Sequence, residues 1–147
     1  MAAIRRADAT WSGTLTEGSG SVTATTSAAF ADLPVTWASR TEAAEGRTSP
    51  EELVAAAHAS CFAMAFSGGL ARAGTPAERL DITCQVTFDK IEPGWRVVSS
   101  ELAVVGVVPG ISADDFAAAA EAAKDGCPIS NALVGNVAIT VEATLKA

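Results

Sequence analysis

The sequence predicts a mixed α+β fold, and three stretches carry the prediction. "LDITCQVTFDKIE" alternates strictly, with Leu80, Ile82, Cys84, Val86 and Phe88 on one face and Asp81, Thr83, Gln85, Thr87 and Asp89 on the other. "SPEELVAAAHASCF" opens a long apolar helix at Ser49. "SADDFAAAAEAAKDG" opens a second helix, with Asp114 and Asp115 in the first turn, where they suit the helix dipole. With no internal repeat, low-complexity tract or linker, residues 1–147 read as a single α+β domain.

The elements follow in order. "ATWSGTLTEGSGSVTATTS" gives two polar, alternating strands with a turn at Glu17-Gly18-Ser19-Gly20. A third strand is expected over Val35 to Ser39, after Pro34, and "TEAAEGRTS" is a polar loop. The long helix has Ser49 at its N-cap, Pro50 at its first position and Glu52 as the acid of a capping box. Glu51 has no such local task. Gly74 and Pro76 set the end, for a helix of about 24 residues. Its apolar residues lie all round, the mark of a helix buried on every side. Ala55, Ala59 and Ala63 offer a small-residue face that another helix can approach closely. A chain this short has little material to surround such a helix, and a homodimer packing two of them together solves the problem. "EPGW" turns into a second long strand, "WRVVSSELAVVGVV". The helix from Ser112 runs to Gly126, "CPISNAL" opens a short helix at Pro128, and "NVAITVEATLK" closes the chain as a strand.

Composition narrows the function. Hydrophobic residues make up 49% of the chain, which supports a globular core. A net charge of −7 argues against nucleic acid and anionic membranes as partners. The N-terminus has no run of signal-peptide type, so the default location is cytoplasmic. The uncharged stretch between Glu52 and Arg72 has the length of a membrane span, but Ala, Gly, Ser and a histidine make it a soluble helix instead. One histidine and three scattered cysteines, with no C-x-x-C, make neither a zinc site nor a secreted disulfide framework.

The chemistry therefore turns on thiols. Cys84, on the apolar face of a strand, reads as a buried inert thiol. Cys61 is too deep in its helix to feel the N-terminal dipole, and an apolar setting raises its pKa. It is a core residue or, with a cation from elsewhere, a nucleophile. Arg40 and Arg47 are the nearby candidates in sequence, and His58 shares its helix face. Cys127, just before Pro128, stands where free helix N–H groups stabilise a thiolate; its other reading is a capping or packing cysteine. His58 reads as a satisfied core histidine, or as the base of a Cys–His hydrolase.

Taken together, "ATWSGTLTEGSGSV", "SRTE", "SPEELVAAAHASCFAMAFS", "FDKIEPGW", "VPGISADDF" and "AKDGCPISNAL" resemble the osmotically inducible protein C (OsmC) family of hydroperoxide-reducing enzymes, close to the organic hydroperoxide resistance proteins. The resemblance runs in order along nearly the whole chain. It implies the OsmC-like α+β fold, an intertwined homodimer with two long central helices wrapped by antiparallel β-sheets. It also implies that Cys61 attacks peroxide, that Cys127 resolves the sulfenic acid as an intramolecular disulfide, that Arg40 is the active-site arginine and that Glu51 holds it. Arg47 is the alternative to Arg40. The substrates implied are organic hydroperoxides, with hydrogen peroxide beside them. An external dithiol, with a lipoyl protein as one donor, would restore the thiols. No metal, haem, flavin or other cofactor is implied. The competing reading is a redox-sensing or small-ligand-binding dimer without turnover.

Overall fold

The polar N-terminal segment pairs its backbone with itself in a three-stranded sheet. In the computed structural model, which describes residues 1–147, β1 (Asp8–Ser12), β2 (Ser19–Thr23) and β3 (Leu33–Val35) pair antiparallel in that order. The reversal lies over residues 13–18, so Ser19 and Gly20, expected in the turn, begin β2 instead.

The third strand stops earlier than expected. Trp37–Thr41 forms a short helix, α1, where the sequence suggested strand. The reason is local. Thr36 caps the helix by accepting from Ser39 N–H, and the Ser39 hydroxyl accepts from Thr36 N–H. This is a capping box with serine in the place usually held by glutamate.

Helix α2 spans Pro50–Arg72. The Ser49 hydroxyl accepts from Glu52 N–H at 3.1 Å, as the cap requires. The Glu52 carboxylate does not return to Ser49; it accepts from the Thr48 hydroxyl at 2.6 Å. The helix runs through Gly68 and Gly69 and ends in a Schellman motif. Thr75 N–H reaches Leu70 C=O, Gly74 N–H reaches Ala71 C=O, and Gly74 takes the left-handed φ of 85° that glycine permits.

The chain divides into two compact units, Met1–Leu53 and Val54–Ala147, with the boundary inside α2. In the second, β4 (Arg79–Ile91) and β5 (Gly94–Val107) form a long antiparallel hairpin with an irregularity at Thr87/Phe88. Along β4 the sequence alternation survives as exposed and half-buried positions from Arg79 to Val86. Helices α3 (Ala113–Gly126) and α4 (Pro128–Leu133) then carry the chain to β6 (Ala138–Lys146), which pairs parallel to β5. A parallel return needs such a crossover. The sheet order is β4-β5-β6.

The core of this unit joins Phe62, Phe66 and Leu70 of α2, Leu102 and Val104 of β5, and Phe116, Ala120 and Ala123 of α3. The Phe66 and Phe116 rings pack 5.1 Å apart, tilted by 43°. Gly106 makes room for this, since a Cβ there would collide with the Phe116 ring.

Helix α2 is not buried on every side. His58, Phe62, Phe66 and Leu70 are buried, but Ala56, Ala57, Ser60, Met64, Ser67 and Ala71 are exposed. Its length and a mean hydropathy of 1.5 would suit a membrane span, yet its aromatic face is seated on β5 and α3.

Candidate active site

Each unit holds one of the residue pairs expected from the sequence. In the first, the five residues of α1 put Trp37 and Arg40 one turn apart. The Arg40 guanidinium carbon lies 5.6 Å from the centre of the Trp37 ring, a cation–π contact. The same guanidinium donates to Glu51 twice, Nε to Oε2 at 3.2 Å and Nη2 to Oε1 at 2.6 Å. Glu51 is 7% exposed. A buried carboxylate is tolerable when paired in this bidentate way. Arg40, Trp37, Trp11, Leu15, Val35, Thr36 and Pro50 line a mostly apolar hollow of about 280 Å³. Arg47 instead meets Glu45 at 3.5 Å on the surface.

In the second unit, Cys61 and Cys127, far apart in sequence, are neighbours close enough for each to shift the other's acidity; both are free thiols. Cys127 is wholly buried and forms the N-cap of α4. Burial alone would raise its pKa. The Ser130 N–H, the Cys61 thiol, the Ser130 hydroxyl and the Ile129 N–H more than offset this and hold Cys127 below the ordinary thiol range. Cys61 moves the other way. Burial raises it, the Ile129 N–H opposes this, and its neighbour Cys127 raises it further. Cys127 is therefore the more acidic of the two thiols in this arrangement, as its place before Pro128 suggested. Cys61 needs a cation to become the more acidic one.

Two polar partners escaped the sequence reading. His58 is fully buried, with Nδ1 2.6 Å from Ser100 Oγ and Nε2 2.8 Å from Ser130 Oγ. Cys84 Sγ lies 3.3 Å from Ser100 Oγ, and burial, only partly offset by that hydroxyl, raises the Cys84 pKa. The available signal was Ser100 itself, a hydroxyl in register with Leu102 and Val104 on the apolar face of β5. Trp37 was hidden by the assignment of its segment to a strand.

A mixed α+β chain with a neighbouring pair of thiols, and with a bidentate arginine–glutamate pair, defines a thiol-redox class of protein. Comparison with known proteins makes the class specific. A family model described as OsmC-like protein matches residues 43–142, and the chain belongs to that family. It is 37% identical over 146 residues to the Escherichia coli K12 protein named peroxiredoxin OsmC, covering 99% of each chain. It is 31% identical over 113 residues to organic hydroperoxide resistance protein OhrA of Bacillus subtilis, covering 76% of this chain and 77% of that one. Among solved structures, an organic hydroperoxide resistance protein from Elizabethkingia anophelis matches with a TM-score of 0.75 at 23% identity, covering 99% of this chain and 100% of that one, which speaks for the fold.

Proposed function

We propose that this protein is a cysteine-based peroxidase that reduces organic hydroperoxides, and hydrogen peroxide beside them, and that Cys61 and Cys127 carry the electrons. The Cys61 thiolate attacks the terminal peroxide oxygen. An S–O bond forms, the O–O bond breaks, and the alkoxide leaves and takes a proton as alcohol. The Cys127 thiolate then attacks the Cys61 sulfur. An S–S bond forms, the S–O bond breaks, and hydroxide leaves and takes a proton as water. An external dithiol, with a lipoyl protein as one candidate, reduces the disulfide and completes the cycle.

The observation that carries this reading is the nearness of two free thiols whose acidities are shifted in opposite directions, with Cys127 at the N-cap of α4. Arg40 is the cation assigned to the Cys61 thiolate and the peroxide oxygens, since guanidinium stays charged and donates from a fixed plane. Glu51 sets its orientation. The apolar hollow beside Arg40 favours alkyl hydroperoxides. His58 has both ring nitrogens engaged by serines, which leaves no support for a Cys–His hydrolase.

The exposed, apolar side of α2 supports a homodimer in which a second copy covers it, intertwined in the OsmC manner. Residues 1–147 then act as one OsmC-like domain in the cytoplasm. The test is a disulfide map before and after one equivalent of an alkyl hydroperoxide, followed by turnover with a dithiol. A Cys61–Cys127 disulfide and many turnovers per chain are expected. A single oxidation that then stops would identify a redox sensor instead.

A further inference from the structure

Trp37 is the aromatic side chain of α1, and the peroxidase reading assigns it nothing. It stands three residues before Arg40, so the two lie on one face of the helix. The Arg40 guanidinium carbon lies over its ring, 5.6 Å from the centre. Trp37 also lines the apolar hollow, with Trp11 and Leu15. The backbone that carries it is tied down at both ends of α1. The Thr41 hydroxyl donates to Trp37 C=O at 3.1 Å. The buried Ser39 hydroxyl lies 2.8 Å from Thr36 C=O and 2.9 Å from Thr48 C=O, two residues before α2 begins.

Arg40 therefore has two restraints of different kinds. Glu51 accepts from Nε and Nη2, which fixes the guanidinium within the plane of that fork. Hydrogen bonds to a carboxylate tolerate a broad range of tilt out of that plane. The Trp37 ring supplies the second restraint. The negative face of an indole attracts a cation more strongly than any other aromatic side chain does, and more strongly still away from water. Trp37 and Arg40 are both half-buried. The other role open to Trp37 is that of a wall of the hollow and nothing more. The two roles make different demands. A wall matters only to a peroxide that carries an organic group. A hold on Arg40 matters to every peroxide, hydrogen peroxide included, because Arg40 is assigned to the oxygens that all of them share.

We propose that Trp37 is a positioning residue for Arg40: its indole face holds the guanidinium in the place that the Glu51 fork sets, and so keeps the cation ready for the peroxide oxygens whatever group they carry. The role of Arg40 toward peroxide rests on the peroxidase reading; the hold of Trp37 on Arg40 does not. A charged side chain on a flexible stem acts at a fixed point only when its neighbours lock its conformation.

The experiment measures the rate of Cys61 oxidation in the full-length protein by rapid quench and thiol alkylation, once with hydrogen peroxide and once with cumene hydroperoxide. Trp37→Leu is expected to slow the reaction with hydrogen peroxide about 3- to 30-fold, and that with cumene hydroperoxide at least as much. Trp37→Phe, which keeps a weaker ring face, is expected to lose less than Trp37→Leu with both. A folded Trp37→Leu variant that slows with cumene hydroperoxide alone, or with neither, would overturn the proposal. So would a Trp37→Phe variant as slow as Trp37→Leu with hydrogen peroxide. A second measurement needs no peroxide and no variant. In NMR of the reduced parent, Trp37 ring protons are expected to show NOEs to the Arg40 side chain, and ¹⁵N relaxation to report Arg40 Nε as rigid as the backbone. Missing NOEs or a mobile Nε would overturn the proposal. A parent that consumes neither peroxide would remove the peroxidase reading and leave the NMR result to decide the hold of Trp37 on Arg40.

Discussion

Arg40 grips Glu51 with two hydrogen bonds from one guanidinium, Nη2–Oε1 at 2.6 Å and Nε–Oε2 at 3.2 Å. Lysine can keep the charge at this position but not the fork. A charge-assisted hydrogen bond contributes roughly 1.5–3 kcal/mol, or about 10- to 100-fold in a rate that depends on it. Arg40→Lys and Glu51→Gln are therefore each expected to slow Cys61 oxidation by at least about tenfold, measured by stopped-flow with an alkyl hydroperoxide. Arg47→Lys, at the exposed pair with Glu45, is expected to leave the rate unchanged. Equal losses in Arg40 and Arg47 variants would count against the assignment of Arg40.

The three cysteines should separate by chemistry. Cys61→Ser is expected to abolish peroxide reduction. Cys127→Ser is expected to leave Cys61 as a sulfenate that proceeds to sulfinic acid under excess peroxide, seen as an added mass on the Cys61 peptide. Cys84→Ser, which keeps a donor to Ser100, is expected to retain turnover. A Cys84 variant as inactive as Cys61→Ser would undo this division of labour.

Much of the chain from α2 onward was legible in the sequence because its elements obey one period each. The β4 alternation, the Ser49 and Ser112 caps and the Pro128 start all lie where pattern and capping chemistry put them. The helix Trp37–Thr41 was not legible, because Val35-Thr36-Trp37 has strand-like side chains and a Thr/Ser box overrides them locally. The nearness of Cys61 and Cys127 was reached only through family resemblance, since spacing along a chain carries no information on tertiary contact. The surroundings of His58 were illegible for the same reason. Ser100 and Ser130 come from a strand and a helix distant in sequence. The all-round apolar character of α2 predicted burial, and the single chain delivers it on one face.

That exposed face gives the third prediction. Ala56, Ser60, Met64, Ser67 and Ala71 follow helical spacing along one side of α2, and Met64 is 71% exposed. If a second copy covers them, the protein sediments as a pair of 14.8-kDa chains. Met64→Glu would bury an unpaired charge in that contact and is expected to weaken the dimer at least tenfold by analytical ultracentrifugation. A parent protein that sediments as a single chain at all concentrations would exclude the homodimer.

Gly106 gives a stability test of the core. A methyl group there meets the Phe116 ring from the sheet side, with Leu80 close by, so the ring must shift or β5 must bend. Overpacking of this kind costs about 1–3 kcal/mol. Gly106→Ala is expected to lower the urea midpoint accordingly at an unchanged slope. A Gly106→Ala, Phe116→Leu double variant is expected to recover part of the Gly106→Ala loss relative to Phe116→Leu alone, because the smaller side chain vacates the contact. Full additivity would show that the collision is relieved elsewhere.

The single histidine makes stability depend on pH in a defined direction. His58 lies against Ser100 of β5, Ser130 of α4 and Cys84 of β4, and its burial lowers its pKa in the fold. Above the unfolded value, about 6.5, both states hold a neutral ring and the stabilising contribution is complete. As pH falls below that value the unfolded chain takes up a proton that the fold refuses. Stability is then lost at up to about 1.4 kcal/mol per pH unit until the lower folded value is reached. Urea unfolding at constant protein concentration, from about pH 7.5 down to about pH 5.5, should therefore show a falling midpoint. His58→Gln should be flatter over the same window, because its amide has no proton to gain. A parent curve that is level from about pH 6.5 to about pH 5.5 would mean that the folded protein accepts the proton on His58, and the neutral ring between Ser100 and Ser130 would have to be abandoned.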